Sequence, residues 1–273
     1  MAEQVATETG VARVAAAFEA ARGEGRAALM PYMMGGFPDQ ETAGAVATAY
    51  VDGGADLIEL GIPFSDPLAD GPVIHAADTA ALEAGATLES VLETCASIGD
   101  QVPVALMCYA NMILAKGTAD FASAAAQAGA AAVIVPDLPL EEQDEIRDAL
   151  VSQGLPLVEM VAPTTPPERR AAICAEAQGF VYVVSTVGVT GEREALPPEL
   201  TELVESVKRE GGVPAAVGFG ISTPDQAAKV GEMADGVIVG TRLVREVADA
   251  PDRDAAVAGV TGFLRDTRAA LAR

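Results

Sequence analysis

The sequence predicts a closed (β/α)8 barrel, the TIM-barrel architecture of the α/β class, carried on one domain spanning residues 1–273. Three observations carry this. Eight short runs rich in Val, Ile and Leu recur along the chain without polar alternation, as expected of parallel strands buried on both faces. Helical segments with start signals separate them. The strand-to-strand period is roughly 25 residues, and eight such units in about 250 residues close a barrel. An open doubly wound sheet is the competing architecture, but it more often shows five or six strands.

Taken in order, the chain opens with an amphipathic helix at Arg13–Arg22, which places Val14, Phe18 and Ala21 on one face. The strand-like runs follow at Ala27–Met33, Asp56–Leu60, Val104–Cys108, Ala132–Val135, Leu157–Val161, Val181–Val184, Ala215–Val217 and Gly236–Val239. Several begin just after a proline (Pro103, Pro156, Pro214), where a missing N–H is least harmful. Thr87 caps a helix at Leu88–Ile98, and Pro224 starts one over Asp225–Val230. Two intervals are too long for a single crossover. After the second strand there is room for an extra helix at Val73–Glu83, and after the sixth lies a long loop, Ser185–Pro198. Both insertions follow a strand's C-terminal end, the barrel face on which active sites are built. Arg253–Arg273 reads as a closing amphipathic helix.

Composition excludes several functions. Half of the residues are hydrophobic, and a chain of 273 residues buries roughly 75% of its unfolded surface, so a core is available. Seventeen Lys and Arg face 40 Asp and Glu, a net charge of −23, which leaves no basic footprint for nucleic acid. Three cysteines, Cys95, Cys108 and Cys174, stand at unrelated spacings and read as reduced thiols in a cytoplasm. The N-terminus lacks a basic start and an apolar core, so no signal peptide is expected. No apolar run approaches about 18 residues, so no membrane span is expected either.

Asp56–Pro72, DLIELGIPFSDPLADGP, carries the densest chemistry. Glu59 lies inside an apolar strand, where a carboxylate is expensive. Surrounded by Leu57, Ile58, Leu60 and Ile62, it should hold its proton toward neutral pH and serve as a general acid and base. Asp70 follows on a loop stiffened by Pro63, Pro67 and Pro72, and should stay ionised. Each has a structural alternative: a buried acid paired with an arginine for Glu59, a turn-forming Asp before Gly71 for Asp70. A Schiff-base enzyme needs a lysine inside the barrel, yet Lys116 lies beyond the third strand and Lys208 and Lys229 fall in helices. A metal site needs a ligand cluster that one histidine, His75, does not supply; His75 itself reads as a surface or capping residue.

Gly218-Phe219-Gly220 after the seventh strand and Gly240-Thr241 after the eighth suggest a phosphate site. Backbone N–H groups and a helix N-terminus there bind anions, with Gly191 as a further donor. The alternative is that these glycines only permit tight turns. Tyr32, Tyr109 and Tyr182 each stand near a strand end and read either as rim residues or as core.

With these residues in place, the chain resembles the tryptophan synthase α-subunit family over nearly its whole length. The similarity rests on ELGIPFSDPLADGP, MCYANMI, VPDLPLEE, VYVVSTVGVTG, GFGIS and ADGVIVG in that order. The resemblance implies retro-aldol cleavage of indole-3-glycerol phosphate, a lyase step of tryptophan biosynthesis. It implies that Glu59 is the acid/base and that Asp70 holds the indole N–H. It assigns Tyr182, Tyr32, Met107, Ile134 and Phe219 to the indole walls, and Gly191, Gly220, Gly240 and Thr241 to the phosphate. Thr190 matches the residue that meets Asp70 when a lid closes. No cofactor is implied for this chain; pyridoxal phosphate is expected in a β-subunit partner of an αββα tetramer, faced by Pro63–Asp70 and the loop around Asn111. His75 replaces a usual glutamine, Tyr32 a common phenylalanine and Thr241 a frequent serine. A stand-alone lyase releasing free indole, a sugar-phosphate isomerase or epimerase, and a non-catalytic activator are the rival readings.

Overall fold

The computed structural model describes residues 9–185, 199–218 and 220–272. Eight parallel strands close into a barrel in sequence order: β1 (Ala28–Met34), β2 (Ile58–Gly61), β3 (Val104–Met107), β4 (Ala132–Ile134), β5 (Leu157–Val161), β6 (Val181–Val184), β7 (Ala215–Gly218) and β8 (Gly236–Val239). β1 closes the ring by pairing with β8, Ala28 opposite Gly236 and Pro31 opposite Val239.

The unbroken apolarity of the strands resolves into two cores. Alternate residues of a strand point to opposite faces. Leu29, Ile58, Leu60, Val104, Leu106, Val181, Val183, Val237 and Val239 point outward and bury the helices. Met30, Leu57, Ala105, Ala132, Ile134, Val158, Ala216 and Ile238 point inward and fill the barrel. Glu59 has the parity of Leu57 and Tyr182 that of Phe180, so both belong to the inward set. Small residues (Ala28, Ala105, Ala132, Ala216) on one side of the interior leave volume for larger ones on the other.

Helix α1 (Gly10–Gly23) plugs the barrel's N-terminal mouth, with Val14, Phe18 and Ala21 buried and Phe18 5.8 Å from Phe180, centroid to centroid. Arg13 fixes the plug by donating to the carbonyls of Gly99 and Gly129. Beside it, Asp56 accepts from the Leu29 amide at 2.7 Å and from Arg26 at 2.5 and 2.8 Å. That network explains why β2 starts at Ile58 and not at Asp56: the acid staples the strand's base. The other face therefore remains free for chemistry.

The outer layer is α2 (Gln40–Asp52), α3 (Pro72–Glu83), α4 (Leu88–Ile98), α5 (Ala110–Lys116), α6 (Thr118–Gln127), α7 (Asp144–Ser152), α8 (Pro167–Glu176), α9 (Leu200–Glu210), α10 (Pro224–Gly231), α11 (Thr241–Asp249) and α12 (Arg253–Leu271). Side chains of Asp39, Thr87, Thr223 and Asp252 cap α2, α4, α10 and α12. α3 is the expected extra helix after the second strand. The sequence does not announce α5 or α11, both of which start directly behind a strand with no side-chain cap. β3 ends at Met107, one residue early, although Cys108 still donates to the Ile134 carbonyl at 3.0 Å. Cys95, Cys108 and Cys174 are free and buried. Among the described residues no helix is long and apolar enough to cross a membrane.

Candidate active site

The C-terminal mouth of the barrel opens into a cavity of about 260 Å3. Glu59 enters it from β2, opposite Tyr32 of β1 and Ala105 of β3. It is 2% exposed, its Oε2 has no hydrogen-bond partner, and it forms no ion pair among the described residues. The arginine-paired alternative is thereby removed. Burial, reinforced by the charge of Asp70, pushes its carboxyl up to about 8. A carboxyl in that range carries its proton at neutral pH and can release it.

Asp70 reaches the same cavity from the loop between β2 and α3. Two side chains hold this loop. The Tyr109 hydroxyl donates to Asp70 Oδ2 at 2.7 Å and accepts from the Ala69 amide at 3.1 Å. At the other end the Phe64 amide donates to Asp78 Oδ1 on α3 at 3.0 Å, while the Phe64 ring stacks on Tyr109 at 5.2 Å. The loop does not leave Asp70 in water: it is 8% exposed. Burial raises its carboxyl above the ordinary range, opposed by the Tyr109 hydrogen bond and the field of His75. His75 lies exposed on the first turn of α3, as a surface residue should. The two acids thus differ in environment. Glu59 has an unpartnered oxygen in an apolar wall, whereas Asp70 has a donor on one oxygen.

Tyr32 and Tyr182 flank them, each buried and each facing a glycine on the next strand. A Cβ on Gly61 would come within 2.4 Å of the Tyr32 hydroxyl, and one on Gly218 within 2.3 Å of the Tyr182 hydroxyl. Those glycines are vacant volume that the phenols occupy. Met107 and Ile134 supply flat apolar wall, and Gly220, Gly240 and Thr241 close the far side of the same cavity. Gly220 has φ +81°, and Gly240 precedes α11, whose first amides point into the mouth unpaired within the helix. The structure therefore brings together Glu59, Asp70, Tyr32, Tyr182, Met107, Ile134, Gly220, Gly240 and Thr241. Thr190, Gly191 and Phe219 lie outside the described residues.

Sequence reasoning missed Asp78 and left Tyr109 unassigned. Asp78 sits mid-helix, where a polar residue usually faces water; only the tertiary packing buries it, to 1% exposure. Tyr109 stood at a strand end, but nothing local said that its hydroxyl would meet Asp70. Met160, Ala162 and Thr164 after β5 also line the cavity and had no sequence signal. Among the described residues no group of three or more His, Cys, Asp and Glu could hold a metal ion. The arrangement can move a proton between a buried carboxyl and an apolar, flat substrate while amides hold an anion at the other end.

Residues 18–270 match the family model described as tryptophan synthase alpha chain. The tryptophan synthase alpha chain of Prochlorococcus marinus (strain MIT 9313) is 47% identical over 242 residues, 88% of each chain. That of Chloroflexus aurantiacus is 42% identical over 266 residues, 96% of this chain and all of the other. Among solved structures, Mycobacterium tuberculosis tryptophan synthase superposes with a TM-score of 0.89 at 35% identity, covering 96% of this chain and 98% of that one. The tryptophan synthase subunit alpha of Legionella pneumophila str. Paris gives 0.86 at 36% identity, covering 95% and 98%.

Proposed function

The chain belongs to the tryptophan synthase alpha chain family, and from that premise we propose that its cavity cleaves indole-3-glycerol phosphate to indole and D-glyceraldehyde 3-phosphate, a lyase reaction. The observation that carries the reading is the buried Glu59 carboxyl, with an unpartnered oxygen, in one cavity with Asp70 and the amide-rich Gly220/Gly240/Thr241 end.

The chemistry follows from what must move. Breaking the bond between indole C3 and the side chain requires C3 to become tetrahedral, so the ring takes a proton there and N1 becomes cationic. Glu59, protonated at neutral pH, supplies that proton. Asp70 accepts the N1–H hydrogen bond, which strengthens as positive charge grows on nitrogen. The Glu59 carboxylate then takes the proton of the side-chain hydroxyl. Its oxygen becomes the aldehyde carbonyl, the C–C bond breaks, and the electron pair returns to the ring and neutralises N1. One proton leaves Glu59 and one returns, so the acid is regenerated each turnover. Tyr32, Tyr182, Met107 and Ile134 hold the ring. Gly220, Gly240 and Thr241 hold the phosphate through amides and the start of α11, the short-range solution open to a chain of net charge −23.

A β-subunit partner that holds pyridoxal phosphate and consumes indole completes the scheme, as an αββα assembly in the cytoplasm. The exposed Leu68, at 82%, on the Pro63–Asp70 loop and Leu114, at 55%, beside Asn111 support a contact there. The test is direct: purified chain, with and without β subunit, is given indole-3-glycerol phosphate and indole release is followed. Saturable release from wild type is expected. No indole under either condition would sink the reading.

A further inference from the structure

Asp78 is not used by the chemistry above, yet the fold retains it at a site that does not suit it. It stands in the body of α3, among Ala77, Ala81 and Ile74, and is 1% exposed. Its Oδ2 is buried without a partner. An apolar side chain there would extend the packing and leave no orphaned oxygen. What the carboxyl does accomplish is one contact outside its helix: Oδ1 accepts the Phe64 amide at 3.0 Å. From Phe64 the path is short. Its ring stacks on Tyr109, and the Tyr109 hydroxyl binds both Asp70 Oδ2 and the Ala69 amide. The loop therefore has two anchors, Asp78 at its entry and Tyr109 at its exit, with the Phe64 ring joining them. Such a locally unfavourable group, kept beside a functional loop, is where function is expected to override stability.

We propose that Asp78 is a positioning residue for the cleavage, its oxygen holding the Phe64 amide so that the Phe64–Tyr109 stack presents Asp70 to the substrate ring. This rests on the cleavage reading above. Because Asp70 meets the N1–H most strongly once the ring is protonated, misplacing it falls on kcat more than on KM.

Three variants test it in the full chain. Asp78→Ala removes the acceptor, Asp78→Asn keeps a neutral one, and Asp70→Asn/Asp78→Ala asks whether the effect runs through Asp70. The expected results are a drop in kcat of about tenfold for Asp78→Ala with KM changed less than about threefold, recovery to within about threefold in Asp78→Asn, and little additional loss in the double variant. The melting midpoint of Asp78→Ala should stay at or above wild type. A second readout does not need turnover: hydrogen exchange at the Phe64 amide should accelerate at least about tenfold in Asp78→Ala and stay slow in Asp78→Asn. Wild-type kcat in Asp78→Ala, failure of Asp78→Asn to recover, full additivity, or a melting midpoint that falls in step with activity would each overturn the proposal. Absence of lyase activity in wild type with the exchange pattern intact would refute the reaction and leave the anchor standing; an unprotected Phe64 amide in an active wild type would do the reverse.

Discussion

Replacing Glu59 by Gln should abolish catalysis and stabilise the protein in the same stroke. The folded carboxyl keeps its proton up to about pH 8, because burial and the charge of Asp70 disfavour the anion. In the unfolded chain it ionises near 4.5. The sign follows from linkage. Where the folded affinity for a proton is raised, the native state binds more protons than the unfolded one, so the stability present below pH 4.5 is lost as pH rises toward 8. At pH 7 the gap is about two and a half pH units, or about 3 kcal/mol at 1.4 kcal/mol per unit. Glutamine, neutral at every pH, escapes that loss. Its amide meets the unpartnered environment of Oε2 and gives back about 1 kcal/mol. The net gain at pH 7 is about 2 kcal/mol, a rise of about 5 °C in melting midpoint for a chain of this size. Below pH 4.5 the order should reverse, with wild type ahead by about 1 kcal/mol. Calorimetric melting of both proteins from pH 4 to pH 8.5, beside indole release at pH 7.5, reads both halves. Indole release should fall by at least about a hundredfold. Parallel melting curves with no crossover would refute the raised proton affinity of Glu59, and near-wild-type activity would remove it from the mechanism.

The pH dependence of kcat/KM should show a falling limb near pH 8, where Glu59 gives up its proton, and that limb should be absent from the residual rate of Glu59→Gln. Because Asp70 raises Glu59, the limb belongs to the pair, and Asp70→Asn should move it downward. Tyr109→Phe deletes the donor to Asp70 and the acceptor for Ala69; kcat should fall about tenfold while the melting midpoint drops only a few degrees, read by steady-state kinetics and calorimetry. Gly218→Ala places a Cβ 2.3 Å from the Tyr182 hydroxyl, so the ring must leave its place; KM for the substrate should rise several-fold, and a wild-type KM would show that Tyr182 does not set the ring's position.

Several features were legible in residues alone. The unbroken apolar runs, the post-proline strand starts and the Thr87 and Pro224 helix signals marked β1 to β8 to within about two residues, the ordinary scatter of such boundaries. Glu59 was legible because a carboxyl between Leu57, Ile58 and Leu60 violates the strand's own pattern, and Gly220, Gly240 and Thr241 because glycines behind the last two strands leave amides open. The exposure of Asp70 was not legible. A Pro- and Asp-rich loop reads as solvated, and only Tyr109 and Phe64 folding over it make it buried.

What the sequence by itself determined is therefore local: strand order by strand order, the eightfold alternation and the one acid whose neighbours forbid its charge. Closure of the sheet decided the rest. Parity sends Leu57 and Glu59 inward while Ile58 and Leu60 face the helices, and that division follows from the pleat and the ring, not from the composition of the run. Likewise, Asp78 and Tyr109 became anchors because α3 and the end of β3 flank the loop after β2 in space, although one follows it in sequence by a few residues and the other by a full βα unit. Chain neighbours set a side chain's proton affinity only through desolvation, whereas a hydrogen bond between distant residues exists only once the barrel has brought its donor and acceptor within about 3 Å.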